Sequence, residues 1–222
     1  MREDVVRRLD RLAGQGIAEG DATGWFERAY AAADGDEEQL PWNRREPLGL
    51  LASWTAEHGV RGEGRRALVI GAGLGADAEH LAGLGFDTVA FDVAPTAIAT
   101  ARARYPESPV QYRVADLLDP PADWGGGFDL VVECYTVQAL PRTLRAEATA
   151  RVADMVAPGG TLVVVSFELR PGDDGQGPPW PLSREEIEAF AQDGLEMVRI
   201  ERLPEPESPA RPCWRAELRR PR

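Results

Sequence analysis

The stretch ALVIGAGLGADAEHLAGLG, residues 67–85, decides the fold. An apolar run of strand type ends in three glycines at alternate positions, Gly71, Gly73 and Gly75, and a helical pattern begins at Ala76. Strand, glycine turn and helix in that order read as a ligand-binding βα unit. Gly71 permits a sharp exit from the strand, Gly73 leaves bare backbone for a ligand to approach, and the helix start offers free N–H groups. Two ligands suit such a turn. Taken as G-x-G-x-x-G/A it uses Gly71, Gly73 and Ala76 and fits a dinucleotide. Taken as G-x-G-x-G it fits a cofactor with a single nucleoside. The glycines do not separate the two, so the flanking chain must.

Downstream, strands and helices alternate. RALVI reads as a buried strand, DTVAFD as a second, VQYRV as a third, FDLVVE as a fourth and GTLVVVSFE as the most apolar of all. Between them, residues 76–82, APTAIATARARY and LRAEATARVADMV read as helices. This alternation predicts βαβ units, a parallel sheet and right-handed crossovers. The ending differs. SREEIEAFAQ is a helix opened by a capping box, Ser183 with Glu186. LEMVRIERL and CWRAELRR then alternate apolar and polar around the proline-rich PEPESPARP, which predicts an antiparallel hairpin at the sheet edge.

Upstream, residues 1–60 contain no strand-like run. Val5, Val6, Leu9 and Leu12 recur at helical spacing. WFERAYAAA and PLGLLASWTAEHG read as two further helices, separated by the polar loop DGDEEQLPWNRRE with Trp42 exposed on it. The expectation is a single α/β domain over 1–222. It has a helical cap segment over 1–60 and a doubly wound, Rossmann-like core over 61–222 with a mostly parallel, seven-stranded sheet.

Composition narrows the chemistry. The chain has 222 residues, 43% of them hydrophobic, enough for one full core. A net charge of −12 argues against general affinity for nucleic-acid backbone. All 25 basic residues are arginine, which excludes a P-loop lysine, a Schiff-base lysine and an ε-amine base. Cys134, Cys213, His58 and His80 form no metal-ligand spacing, so no metal is expected. The amino terminus MREDVVRRLD lacks an apolar signal region, and no apolar run approaches a membrane span. A soluble, cytoplasmic, reduced protein is expected.

Two acidic residues extend the glycine turn into a series. Asp92 ends the second strand, 21 residues beyond Gly71, where a carboxylate accepts hydrogen bonds from ribose hydroxyls. A helix N-cap is its plainer reading. Asp116, after the third strand, can accept an adenine amino group while the Leu117 N–H donates to the ring; a loop cap is the alternative. Glycines, ribose acid and adenine acid thus stand at three successive strand ends.

These motifs (GAGLGADAEHLA, VAFDVAPTAIATARARY, VADLLD, FDLVVECYTVQALP and LVVVSFE, in that order) resemble the class I S-adenosylmethionine-dependent methyltransferases over about residues 40–219. Within the class the chain is most similar to the thiopurine, thiol and tellurite group. Those enzymes carry a Pro-Trp segment before the first strand, here LPW, and a GPP-aromatic loop after the fifth, here GPPWPLS. The resemblance implies S-adenosylmethionine held by Gly71, Ala72, Gly73, Gly75, Asp92, Val93, Asp116 and Leu117, with Trp42 and Glu133 adjoining. It implies a small-molecule acceptor, no nucleic-acid or membrane partner, and a monomer or homodimer. One position departs: the class carries an acid two places before the first glycine, and this chain has Val69. The amino-acid end of the cofactor then falls to backbone and to groups such as Arg44 or Arg45. A dehydrogenase reading is disfavoured, because three helices precede the glycine turn and no lysine exists for a Ser-Tyr-x-x-x-Lys group.

The end of the fourth strand, ECYTVQALP, should face the transferred methyl. Methyl transfer is an in-line displacement, accelerated by positioning and desolvation; neutral amines and hydroxyls also need a proton sink, thiolates little. Glu133 and Tyr135 are the candidate catalytic residues, with Glu133 alternatively a cap. Cys134 reads as buried packing, His80 as structural and His58 as solvated. ECYT lacks the Asp/Asn-Pro-Pro-aromatic signature of amide and adenine methylation, and Pro212-Cys213 only superficially resembles a cytosine-methylating dipeptide. Tyr30, Trp42, Tyr135 and Trp180 are expected to wall the acceptor pocket, ordinary packing being the alternative for each tryptophan. A sulfur-type acceptor comes first and nitrogen or oxygen second. A binding protein without transferase activity is the rival, supported by Val69.

Overall fold

The computed structural model describes residues 3–173, 177–205 and 208–222. Seven strands form one sheet in the order β3-β2-β1-β4-β5-β7-β6. They are β1 (Arg66–Ile70), β2 (Asp87–Asp92), β3 (Gln111–Val114), β4 (Phe128–Cys134), β5 (Val156–Phe167), β6 (Glu196–Glu205) and β7 (Ser208–Arg219). The first five run parallel, and β7 inserts antiparallel between β5 and β6. This is the expected mostly parallel seven-stranded sheet, with the C-terminal hairpin at its edge.

Helices cover both faces, as a parallel sheet requires. On one side α3 (Gly49–Glu57), α4 (Ala76–Gly83) and α5 (Pro95–Arg104) bury Leu51, Leu81 and Ile98 against Val69, Ala90 and Val132. On the other, α6 (Arg145–Asp154) and the short α7 (Arg184–Glu188) bury Val152 and Ile187 among Ile70, Phe128, Val131 and Val164. Two helices remain, α1 (Glu3–Ala18) and α2 (Gly24–Ala33). Their apolar faces meet each other through Val5, Leu9, Ala13, Trp25 and Ala29, and Trp42 packs against that cluster.

Three expectations are corrected. The helix read over SREEIEAFAQ ends at Glu188, although its Ser183–Glu186 capping box is present. The nine-residue proline connection is mostly strand: Pro204 pairs with Pro212 and Glu205 with Ser208. Its residues 206–207, like 174–176 of the 171–181 loop, lie outside the described residues. Trp42 is half-buried rather than exposed, standing edge-on to Trp25, Phe26 and Tyr30 with ring centroids 6.3, 6.4 and 5.8 Å away.

The order reverses between β1 and β4, where Ile70 lies beside Glu133. In an open parallel sheet, ligands bind beyond the carboxyl ends of the strands at this point.

Candidate active site

The glycine turn is shaped by its neighbours. Gly71 has φ of 63°, and a Cβ there would stand 2.2 Å from Thr136 Oγ1. That hydroxyl donates to the Ile70 carbonyl at 3.1 Å, pinning the turn after β4 against the turn after β1. Gly73 has φ of 53°, and a Cβ there would meet only Tyr30 Oη at 3.4 Å and Trp42 Cδ1 at 3.9 Å. Gly73 is thus demanded by conformation, and its surroundings are otherwise open.

Asp92 is buried at the end of β2. Its Oδ2 accepts the Gly73 N–H and its Oδ1 the Ala94 N–H, each at 2.9 Å. Burial pushes its pKa up to about 6, against the opposing pull of these backbone bonds. Asp116 Oδ1 accepts the Leu118 N–H at 2.9 Å. Both acids therefore fulfil the plain turn or cap role while also facing the cavity described below.

At the exit of β4, Tyr135 holds a left-handed φ of 62°, a conformation costing a non-glycine residue on the order of 1–3 kcal/mol. Its N–H donates to Val165 O at 2.9 Å, and its ring stacks on Phe167 at 4.6 Å. Its hydroxyl lies 3.5 Å from Cys213 Sγ. Burial above all, and then Cys213, push the phenol well above the ordinary tyrosine range.

A cavity of about 790 Å³ opens over these turns, a size ordinary for small-molecule and cofactor sites. Its floor is Gly71, Ala72, Gly73, Gly75, Asp92, Val93, Asp116 and Leu117, and Tyr30, Trp42 and Tyr135 stand in its walls. Val6 and Leu9 of α1 and Phe26 of α2 also line it, so the helical cap covers the site.

Two expected site residues fall elsewhere. Glu133 is 1% exposed and does not line the cavity. Its Oε1 accepts the Thr136 and Val137 N–H groups at 2.7 and 2.9 Å, making it the cap of the turn, and its Oε2 is buried without a partner. Burial pushes its pKa up to about 7. Trp180 is also absent from the lining, where the preceding Pro178 and Pro179 stand instead. The Trp180 backbone is fixed from behind: its N–H donates to Gln138 O at 2.7 Å, and its carbonyl accepts from Arg145. Cys134, read as buried packing, is half-buried and lines the cavity, and burial holds its thiol well above its usual range.

Several lining residues were not singled out in the sequence. Asp77, in the first turn of α4, is 7% exposed; its Oδ1 accepts the Leu48 N–H at 2.7 Å, and its Oδ2 pairs with Arg44 at 3.0 Å. Its place two residues past Gly75 was the available signal. Arg44 lines the cavity, whereas Arg45 is exposed and pairs with Glu37. Arg104 locks the Trp42 loop from below, donating to Asn43 Oδ1 at 2.8 Å and Arg44 O at 2.9 Å. Glu205 and Arg211, from the two strands of the hairpin, complete the far wall. The histidines lie outside the cavity: His80 Nε2 is 2.9 Å from Thr55 Oγ1, and His58 Nδ1 is 2.9 Å from Trp54 O.

Residues 67–160 match the model of the family described as "Methyltransferase domain". A ubiquinone biosynthesis O-methyltransferase of Xanthomonas campestris pv. campestris (strain B100) is 34% identical over 141 residues, 62% of this chain and 56% of that protein. The chain therefore spans little more than half the length of this curated relative. Among solved structures, an N-methyltransferase, NodS of Bradyrhizobium japonicum WM9 in complex with S-adenosyl-L-homocysteine, aligns with a TM-score of 0.65 at 23% identity. That alignment covers 87% of this chain and 99% of the other. A Burkholderia thailandensis 1,6-didemethyltoxoflavin-N1-methyltransferase aligns with a TM-score of 0.66 at 18% identity, covering 89% and 88%. At these identities the structural likenesses establish the fold. The matched segment runs from β1 into β5 and carries the glycine turn, Asp92 and Asp116.

Proposed function

We propose that this protein transfers a methyl group from S-adenosylmethionine to a small, flat acceptor in the cavity over β1 and β4. The observation that carries this reading is the coincidence of the bare glycine turn, Asp92 and Asp116 on one cavity floor. The turn at Gly73 leaves room for a nucleoside, and Asp92 and Asp116 are carboxylates suited to ribose hydroxyls and an adenine amino group. Arg44, held at the cavity wall by Asp77, suits the carboxylate at the amino-acid end of the cofactor. The bound cofactor supplies an electrophilic methyl on a positively charged sulfur.

What this chain contributes is position and dryness. Tyr135, backed by the stacked Phe167, presents an aromatic face to the acceptor, Pro178 and Pro179 line the same cavity, and α1 and α2 exclude water. Among the described lining residues there is no histidine or lysine, and Glu133 turns its carboxyl into the β4 cap. An acceptor that arrives ionised suits this wall best, so a thiolate is the preferred nucleophile, in keeping with the resemblance to the thiopurine and thiol group.

Oxygen or nitrogen methylation is the second reading. It is favoured by Glu205, a buried carboxyl in the wall that influences Tyr135, and by the names of the relatives.

Binding of the demethylated cofactor product tests the cofactor directly. A ligand at 100 times its Kd stabilises a fold by about 2.7 kcal/mol, so S-adenosylhomocysteine should raise Tm by several degrees and NAD should not. Stabilisation by NAD alone overturns the reading. Mass-spectrometric screening of thiols, amines and phenols for the gain of one methyl then identifies the acceptor class.

A further inference from the structure

Two arginines stand in the cavity wall, and they differ in what holds them. Arg44 is tied to Asp77. Arg211 is not tied to an acid: its guanidinium lies over the Phe167 ring, 3.8 Å from the centroid, and among the described residues it makes no ion pair. Phe167 in turn stacks on Tyr135, with ring planes 21° apart. Guanidinium, phenyl and phenol thus form one continuous stack from the hairpin to the β4 exit.

A guanidinium fixed by its face on a ring keeps its N–H donors in the plane, where they match a carboxylate in bidentate geometry. Of the acids lining the same cavity, Asp10 stands exposed on α1 and the other four are engaged. Asp92 and Asp116 accept backbone N–H groups, Asp77 holds Arg44 and Leu48, and Glu205 has a partner of its own. Among the described residues of the wall, Arg211 is the cation that no acid holds.

We infer that the acceptor is a planar aromatic acid, its ring laid along Tyr135 and its carboxylate paired with Arg211. The inference rests on the methyl-transfer reading for the word acceptor, though not for the binding itself. A planar body against Tyr135 sits beside Cys134 and the glycine turn, where the reacting atom must lie. Running along the edges of the stack, such a body brings its carboxylate level with the guanidinium, 3.8 Å from the Phe167 ring, while its reacting atom lies toward Tyr135. An arginine in this role selects acids over their neutral analogues and fixes which ring position faces the methyl.

Matched probes test this on the full chain: 3-mercaptobenzoate against thiophenol, 3-hydroxybenzoate against phenol, and 3-aminobenzoate against aniline. Binding is measured by calorimetry with and without saturating S-adenosylhomocysteine, and turnover by methylated product. The acid of each pair should bind at least tenfold tighter than its neutral partner. Arg211→Gln should erase that preference while leaving S-adenosylhomocysteine affinity within twofold, and Arg211→Lys should retain part of it. Equal affinity for acid and neutral partner, tighter binding of the neutral one, or a preference surviving in Arg211→Gln overturns the inference. If Arg211→Gln does not fold, the wild-type comparison and the lysine variant still decide. Preference for acids without S-adenosylhomocysteine binding or methylated product sinks methyl transfer and spares the binding site; the reverse result spares methyl transfer alone.

Discussion

The Asp92 carboxylate accepts the N–H of Gly73 at 2.9 Å, so the acid proposed for the ribose is also the strut of the glycine turn. Its other oxygen holds the Ala94 N–H at the start of α5. Hydrogen bonds to a charged group contribute roughly 1.5–3 kcal/mol each. Asp92→Ala should therefore weaken S-adenosylhomocysteine binding at least tenfold and also lower the unfolding free energy by about 2 kcal/mol. Calorimetry and urea unfolding on the same variant separate the two losses. Unchanged values in both measurements would leave Asp92 without either role.

Glu133 gives a pH signature. A carboxyl whose native pKa is raised holds its proton more firmly in the folded state. It stabilises the fold below the unfolded pKa and loses that contribution as pH rises through the native one. For Glu133 the window runs from the ordinary 4.5 to about 7, and for Asp92 from 3.8 to about 6, burial being the main cause in both. Wild-type stability should thus decline across pH 4–7, with Glu133 supplying on the order of 2–3 kcal/mol of the fall. Glu133→Gln keeps an acceptor for Thr136 and Val137 and cannot ionise, so its upper limb should be flat. Urea midpoints collected across that range measure it; a parallel decline in variant and wild type would remove Glu133 as the cause. Because Glu133 does not face the cavity, kcat/KM of the variant should stay within threefold.

How much was legible depended on whether a residue's role is local. RALVI is β1 residue for residue, because a buried strand bounded by arginine and a glycine turn has no competing helical period. The floor of the cavity was readable for the same reason: each of its groups sits at a strand end, at fixed spacing from its own strand. Residues placed by tertiary packing were not. Glu133 and Trp180 lie beside cavity residues in sequence, but the β4 turn and the Arg145 contact rotate them away. Arg211 and Glu205 come from a hairpin whose paired length hid inside a run of prolines. Trp42 looked exposed because the aromatic partners that cover it are 12 to 17 residues earlier, on α2.

The two tryptophans make opposite predictions. Trp42 lines the cavity and packs edge-on against three rings, so Trp42→Ala should lower kcat/KM for the acceptor roughly tenfold, about 1.4 kcal/mol of transition-state stabilisation. Trp180 contributes its backbone to Gln138 and Arg145, bonds an alanine keeps. Trp180→Ala should leave kcat/KM within threefold and act on Tm alone. Steady-state kinetics on both variants with one acceptor decides, and a larger kinetic defect for Trp180 would return it to the pocket wall.

The last prediction concerns the amino-acid end of the cofactor. Val69 is buried in the core on the α3–α5 face and offers nothing polar; under the proposed function Arg44, which Asp77 holds at the cavity wall, receives the cofactor carboxylate. The pair is largely buried, with side-chain exposures of 22% and 8%. Removing one member of such a pair leaves the other uncompensated, which is costly in itself. A single loss of affinity would therefore be ambiguous. A truncated ligand resolves it: 5′-methylthioadenosine has the adenosine of S-adenosylhomocysteine and lacks its amino-acid end. Arg44→Met should weaken S-adenosylhomocysteine at least tenfold, about 1.4 kcal/mol, and change 5′-methylthioadenosine less than twofold. Asp77→Asn keeps an acceptor for the Leu48 N–H while releasing Arg44, and should give the same pattern at smaller size. Equal losses for both ligands would mean that Arg44 and Asp77 only shape the fold around the nucleoside, and that backbone alone receives the carboxylate.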